Sequence, residues 1–336
     1  MNVCSPTVAS RTPGSAEAPS ATLVPAARRG ALGVAVSGGR DSMALLHATA
    51  HAASPLGIET WALHVHHGLM PQADAWWQTV ERQCKAWNRR GIKVQFAGER
   101  LSGAPSTGQS IEAWARTGRY EALARMAHAR EIDLVLLAHH RRDQAETVLL
   151  QALRSGGPPG LSAMPRSIER EGLRWVRPWL EQPRQAIEAY VRRYRLRFVD
   201  DPSNADSRLA RNRLRAQAWE ALAEAFPQAE AALAGTAKRM QEAAACNAEL
   251  ARIDLSGSQD AQGRLCLAPW GALSPARRAN ALRHWGSSQC PKGLPESLVA
   301  RLLHEAPASR NGACWPAPGG LIRREKGSLT FVPGVI

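Results

Sequence analysis

Residues 31–47 read ALGVAVSGGRDSMALLH, a short apolar run, a glycine pair set between serines, and a helical pattern with Met43, Ala44, Leu46 and His47 around it. An apolar run (Ala31–Val36) that breaks at Ser37-Gly38-Gly39 and continues as a helix is a strand–turn–helix unit. Two glycines let the backbone approach an anion closely, and the first turn of the following helix points N–H groups at it that have no partner within the helix. The hydroxyls of Ser37 and Ser42 add donors, and Asp41 is placed to hold a magnesium ion that bridges phosphates. The Gly-Lys-Ser/Thr ending of a Walker loop is missing, which argues against a hydrolase acting on a γ-phosphate. An ordinary glycine turn ahead of a helix is the plainer alternative.

The pattern repeats outward from this unit. Apolar runs at Glu59–Val65, Lys93–Ala97 and Asp133–Ala138 alternate with helical stretches at Ala73–Arg89, Ile111–Arg130 and Gln144 to about Arg154. Strands separated by helices of this length indicate βαβ units, hence a parallel sheet covered on both faces. A Gly/Pro-rich loop follows at Ser155–Pro165, a helix at Pro183–Arg195, and a polar connection at Asp200–Asn212. Residues 216–250 suit long helices with a break at Phe226-Pro227. Leu250–Gly263 reads as a linker into a small unit with helices near Pro275–Trp285 and Glu296–Glu305 and a hairpin through Leu321–Phe331. No internal repeat is present.

Three further clusters carry chemistry. His64-Val-His66-His67-Gly68-Leu69 ends the second strand, where ligands gather in open α/β sheets. His64 and His66 share a strand face and His67 points elsewhere, with no Cys or carboxylate to complete a zinc set. Strand-end hydrogen bonding is the alternative. Ala138-His139-His140-Arg-Arg142-Asp143-Gln144-Ala-Glu146-Thr147 leads from the fourth strand into a helix. Asp143 and Glu146, three apart, share a helix face near the positive N-terminus, placed to hold magnesium or take a proton from an amine. A capping box using Asp143 with Glu146 is the alternative. Glu112, Arg116 and Arg119 lie at i, i+4 and i+7 of one helix. A solvated charged face, with ion pairs of about 0.3–0.5 kcal/mol, is the plain explanation there.

Composition narrows the partners. Forty-three Lys and Arg against 29 Asp and Glu leave a net charge of +14, which favours polyanions because neutralised phosphates release condensed counterions. A general preference for arginine explains the charge equally well. Six cysteines (Cys4, Cys84, Cys246, Cys266, Cys290 and Cys314) are scattered without a C-x-x-C pair. That pattern fits a reducing cytoplasm and gives no support to a zinc or redox site. No stretch approaches the roughly 18 apolar residues of a membrane span. Residues 1–30, rich in Ala, Ser, Pro and Thr, lack the apolar segment of a secretory signal and read as a disordered tail, with a transit peptide as the weaker option.

SGGRDS resembles the pyrophosphate loop of the N-type ATP pyrophosphatases, which cleave ATP between its α- and β-phosphates and transfer AMP. The strings H-V-x-H-G-L, A-H-H-x-x-D-Q-x-E-T and E-x-x-A-R-x-x-R-Y are similar to those of tRNA(Ile)-lysidine synthetases, except that Arg142 stands where the family has Asp. Gly160–Met164, Arg177-Pro178, Asp201–Asn204 and Arg211–Arg215 continue the likeness. It runs from about Ala31 to Phe226 and weakens beyond, where Leu321–Arg324 and its hairpin are similar to a substrate-binding module.

The resemblance implies an α/β, parallel-sheet fold of the adenine nucleotide α-hydrolase (HUP, Rossmann-like) type over residues 31–215. A smaller, mainly helical tRNA-binding unit would occupy residues 216–336. It implies ATP at Ser37, Gly38, Gly39, Arg40, Asp41 and Ser42, bordered by His64, His66 and His139, with Mg2+ at Asp41 and Asp143. Asp41, Asp143, Glu146, Glu112, Arg116 and Arg119 would be catalytic, and Arg177, Arg211, Arg213 and Arg215 would contact tRNA. The implied activity is that of a cytoplasmic ligase forming a carbon–nitrogen bond. It would join free L-lysine to C2 of the wobble cytidine of tRNA(Ile) through an adenylated intermediate. The oligomeric state is open, a homodimer included. The competing functions are another pyrophosphate-loop tRNA enzyme such as a thiolase, an amide-forming synthetase, and a non-catalytic nucleotide- and RNA-binding protein.

Overall fold

The computed structural model describes residues 30–68, 70, 72–104, 111–199, 206, 208–290 and 293–334. The tail, the Asp201–Asn204 string and the Glu112 side chain lie outside the described residues.

The N-terminal part is built on a six-stranded sheet of β1 (Ala31–Ala35), β2 (Glu59–His66), β3 (Gln95–Arg100), β4 (Leu134–Leu136), β5 (Ser167–Arg170) and β6 (Leu173–Val176). Its spatial order is β3-β2-β1-β4-β6-β5. All neighbours pair in parallel except β5 with β6. Side-chain alternation gives the sheet two buried faces. Val34, Val36 and Ala62 face α1 (Arg40–Ala53), α2 (Ala73–Asn88) and α6 (Arg184–Tyr194). Leu63, Val65, Val135 and Leu137 face α3 (Ile111–His128). Both faces are closed by helices, as the continuous apolar strand runs require.

Four local details differ from expectation, each for an identifiable reason. β3 begins at Gln95 rather than Lys93, because the Asn88 side chain grips Val94 through both its N–H and its carbonyl, at 2.8 and 2.7 Å. α4 (Arg141–Ala152) begins three residues early. Its N-cap is His140, and Asp143, at the third helical position, accepts the His140 backbone N–H at 3.0 Å. Asp143 is therefore the returning half of a cap and not the cap itself. The β5–β6 hairpin, absent from the sequence-based expectation, turns on Glu171 and Gly172 at φ 56° and 71°, the positive pair a tight two-residue hairpin demands. The supposed loop at 155–165 contains the short α5 (Pro158–Leu161).

Beyond α6 come α7 (Ala210–Gln217), α8 (Trp219–Ala225) and α9 (Ala229–Ser256), with the helix break at Phe226-Pro227. The stretch expected to be a linker from Leu250 is still helix as far as Ser256. Ala251, Asp254 and Leu255 are buried there, and Asp254 pairs with Arg277, so the turn is held by packing that sequence periodicity does not reveal. The C-terminal unit combines α10 (Leu267–Gly271), α11 (Pro275–Gln289) and α12 (Glu296–Glu305) with a four-stranded antiparallel sheet. The sheet contains β7 (Leu265–Cys266), β8 (Cys314–Ala317), β9 (Gly320–Glu325) and β10 (Ser328–Pro333). Trp270, Trp285 and Trp315 fill its core. α9 packs against α4 and α5 along one part of its length and against α11 along another.

Candidate active site

A cavity of about 850 Å3 opens at the carboxyl ends of β1 and β4. The strand order reverses at this point of the sheet, so the loops leaving β1 and β4 diverge and leave a crevice. The loop after β1 supplies its floor. Gly38 takes φ 92°, a left-handed conformation open to glycine at no steric cost. The Ser42 hydroxyl donates to Gly39 O at 2.9 Å, and the Ser37 hydroxyl accepts from Gly39 N–H at 3.2 Å. The turn is thereby held shut upon itself while the N–H groups of the first α1 turn stay without helical acceptors. This is the local geometry of an anion seat.

Acidic and basic groups converge above that floor. The His140 ring stands between two carboxylates, its Nε2 3.7 Å from Asp41 and 3.5 Å from Asp143. Burial opposes ionisation of Asp41, yet the hydrogen bond and charge of His140 and the neighbouring Arg40 outweigh it and hold the carboxyl below its usual range. From α7, Arg215 reaches in to Asp143 at 2.8 Å and to Glu146 at 2.7 Å. Burial weakens the Arg215 charge, but Glu146, Asp143 and Asp41 more than restore it, so its pKa is raised. Glu146 is fully buried, and Arg142 and Arg211 also approach it at 3.6 and 3.8 Å. Arg40 is tied to Glu188 of α6 at 2.9 Å, and Arg184 binds the same carboxylate at 3.1 Å. On the opposite wall, Arg116 lies over the Tyr120 ring at 5.4 Å.

The structure gathers Ser37, Gly39, Arg40, Asp41, Ser42, Arg116, Arg119, His139 and Arg215 around one cavity. Asp143 and Glu146 stand behind Arg215 and His140. His64 and His66 lie on the other face of β2: His64 Nδ1–H donates to Val36 O at 2.8 Å, and His66 Nε2 sits 3.4 Å from Asp74. The cavity-side residues of that strand are Leu63 and Val65, and of the three histidines it is His67 that lines the cavity. Strand alternation alone forces this separation. His139 does line it, and burial above all, with Arg177, Arg116 and Arg211 adding, drops its pKa to about 4 against the pull of Asp143.

Of the arginines expected to meet tRNA, Arg177 is buried and donates to Pro165 O at 2.7 Å. Arg211 donates to Thr147 Oγ1 at 2.8 Å, Arg215 belongs to the cavity, and Arg213 has an exposed side chain. His140, His67 and Tyr120 stand inside the quoted motifs, but the sequence assigns them no role of their own, and Arg184 carries no motif at all.

Comparison with known proteins bears on what this crevice serves. The PP-loop domain family model matches residues 16–222, and the TilS substrate binding domain model matches residues 265–330. A tRNA(Ile)-lysidine synthase of Ralstonia nicotianae is 43% identical over 301 residues, spanning 88% of this chain and 63% of its own length. Another, from Bordetella bronchiseptica, is 41% identical over 310 residues, 89% of this chain and 88% of its own. Among solved structures, a U34-tRNA thiolase NcsA from Methanococcus maripaludis, with its 4Fe–4S cluster, superposes with TM-score 0.51 at 13% identity. The match covers 64% of this chain and 73% of that one and shows a shared fold.

Proposed function

The chain belongs to the tRNA(Ile)-lysidine synthase family, and on that premise we propose that it joins lysine to a tRNA base at the expense of ATP. The substrate is the wobble cytidine of a tRNA(Ile) with a CAU anticodon. In the first step the cytidine O2 attacks the α-phosphate of ATP; the bond to the β-phosphate oxygen breaks and diphosphate leaves. In the second, the ε-amine of free L-lysine forms a bond to C2 and AMP departs with the oxygen, while the amine gives up its protons. Residues 31–215 carry the chemistry, and residues 216–336 help to hold the RNA.

One observation supports this reading above the others: a self-closed Ser-Gly-Gly turn, with Asp41 two residues on, shares one cavity with a convergent set of arginines and with His140, whose ring stands between Asp41 and the Asp143 behind it. The turn seats the phosphates with backbone N–H groups. Arg116, Arg119 and Arg215 meet the charge that develops on phosphate and base oxygen, which preorganised donors do without reorganisation. Asp143, which contacts the cavity-lining His140, accepts the amine proton once Arg215 releases it, and the fully buried Glu146 holds Arg215 in position. With a pKa near 4, His139 is neutral at pH 7 and accepts or donates a hydrogen bond beside the nucleotide without adding charge.

The donor set also fits magnesium. No described cluster of three His, Cys, Asp or Glu side chains could cage a metal, which suits an ion carried by one or two carboxylates and the phosphates. Asp41 lines the cavity, whereas both Asp143 oxygens are engaged, by Arg215 and by the His140 backbone N–H. Asp41 would hold the ion, and Asp143 would join it on releasing Arg215. When bound, magnesium neutralises phosphate charge during AMP transfer.

The experiment is incubation of purified protein with tRNA(Ile) transcript, ATP and labelled lysine. We expect label in the tRNA, stimulated by ATP and absent with tRNA(Met). Unlabelled tRNA(Ile) under conditions where ATP binds would overturn the proposal.

A further inference from the structure

Residues 192–198 read RRYRLRF, and Arg192, Arg193, Arg195 and Arg197 are all exposed. Tyr194 and Phe198 are exposed among them, at 42% and 36%, and the Arg193 guanidinium lies 5.6 Å from the Tyr194 ring centre. None of the four arginines pairs with a carboxylate among the described residues. The nearest acidic side chain on the same helix, Glu188, is taken by Arg40 and Arg184. Past Asp41, α1 offers no acidic residue at all. Arginine near a helix C-terminus complements the helix dipole, which accounts for Arg192 and Arg193. It does not account for Arg197 beyond the helix, nor for Arg195, which takes φ 48° at a position where glycine is the usual occupant.

The strip runs from the far end of α6 back towards the site. α6 starts at Arg184 on the cavity wall, and Tyr194 at its other end meets His51 in the last turn of α1, ring centres 6.0 Å apart. The chain then returns to the phosphate loop, where Val199 N–H donates to Gly38 O at 2.9 Å. We propose that the Arg192–Phe198 strip docks the sugar–phosphate backbone of the tRNA stem whose wobble base enters the cavity. The arginines contact phosphates, and Tyr194 and Phe198 stack on sugars or an unstacked base. This inference rests on the proposed tRNA substrate; it adds where the RNA lies.

The test is tRNA(Ile) binding to the full chain across a salt series. Four lost phosphate contacts on a duplex stem flatten the slope of log K against log salt by about 3 to 4, taking about 0.9 per contact. We therefore expect Arg192→Gln/Arg193→Gln/Arg195→Gln/Arg197→Gln to show that flattening and at least a tenfold loss of affinity, with unchanged melting. Arg193→Gln/Arg197→Gln should lose about half as much slope. The charge-matched Arg125→Gln/Arg166→Gln, whose arginines pair with Glu99 and Glu181, should keep the wild-type slope. If the quadruple variant keeps that slope, or the control pair flattens as much as Arg193→Gln/Arg197→Gln, the strip is not the docking face. If wild type binds tRNA(Ile) and modifies it while the quadruple variant behaves identically, the strip alone falls. If wild type binds no tRNA, the proposed function falls and the strip with it.

Discussion

Asp41 sits where three demands meet: it lines the cavity, flanks the phosphate turn and faces His140. Changing Asp41→Asn keeps the shape and removes the charge, so lysine incorporation should fall by about 100-fold or more with little change in melting, the scale of losing one preorganised electrostatic partner. Incorporation within threefold of wild type would separate Asp41 from the chemistry. The buried His64 gives a pH signature. Burial, opposed by its bond to Val36 and helped by His67 and His66, drops its pKa to about 4, against about 6.5 unfolded. Between these values the unfolded chain binds a proton that the folded chain refuses, so stability falls as pH drops through the window and levels off below it. The depressed Asp41 carboxyl acts in the same sense, its stabilisation present above the unfolded carboxylate pKa and lost as it protonates. In His64→Gln, the stability lost between pH 6.5 and 4 should shrink by about 3 kcal/mol, measured by urea unfolding at several pH values. An unchanged pH profile would show that His64 titrates normally. The phosphate turn was legible because glycine and serine spacing encodes backbone geometry directly. Assigning His64 and His66 to the nucleotide side required knowing which face of β2 the cavity occupies, and alternation leaves that choice open until the neighbouring helices are placed.

At the scale of elements, α4 is anchored from two directions. Arg142 occupies the position where the resembling family carries Asp, and the structure gives that arginine work: its guanidinium stacks 4.3 Å from the ring of buried Trp219 in α8 and approaches Glu146 at 3.6 Å. Burial opposes its charge and lowers its pKa, while Glu146 pulls the other way. A double-mutant cycle of Arg142→Ala with Trp219→Leu should give a coupling of about 1–2 kcal/mol, the range of a desolvated cation–π contact. A coupling near zero would mean the stack contributes nothing. Strand β3 offers a second test. A Cβ on Gly98 would lie 2.2 Å from the Trp77 ring, so Gly98→Ala should cost about 1–3 kcal/mol as overpacking. Stability equal to wild type would mean that Trp77 moves aside freely. The alternation of strands and helices was readable from apolar periodicity, and the Phe226-Pro227 break from proline chemistry. The β5–β6 hairpin was not, because its strands are four residues each and three of the four residues in β5 are exposed, too little burial to leave a pattern.

Across the whole molecule, α9 is the shared member. Its 28 residues span about 42 Å at 1.5 Å per residue. Along them, Glu230 meets Arg141 of α4 at 2.9 Å, Gln241 donates to Ser162 O at 2.9 Å, and Asp254 pairs with Arg277 of α11. Cooperative unfolding of both sheets as one transition is the consequence. Ala245→Pro, exposed and mid-helix, should cost about 3 kcal/mol and split the calorimetric peak in two; a single peak would show that the units are coupled elsewhere. The same helix explains why the boundary between units was blurred in sequence, since an alanine-rich helix serves both sides without a change of composition. On the proposed function, the first product made in the cavity is an adenylated tRNA. Mass spectrometry of tRNA(Ile) incubated with ATP and the protein but no lysine tests it directly. The prediction is one AMP group on the wobble cytidine, exchanged for lysine when the amino acid is added. Splitting of ATP with the tRNA left at its original mass, or AMP attached at any other nucleotide, would contradict it.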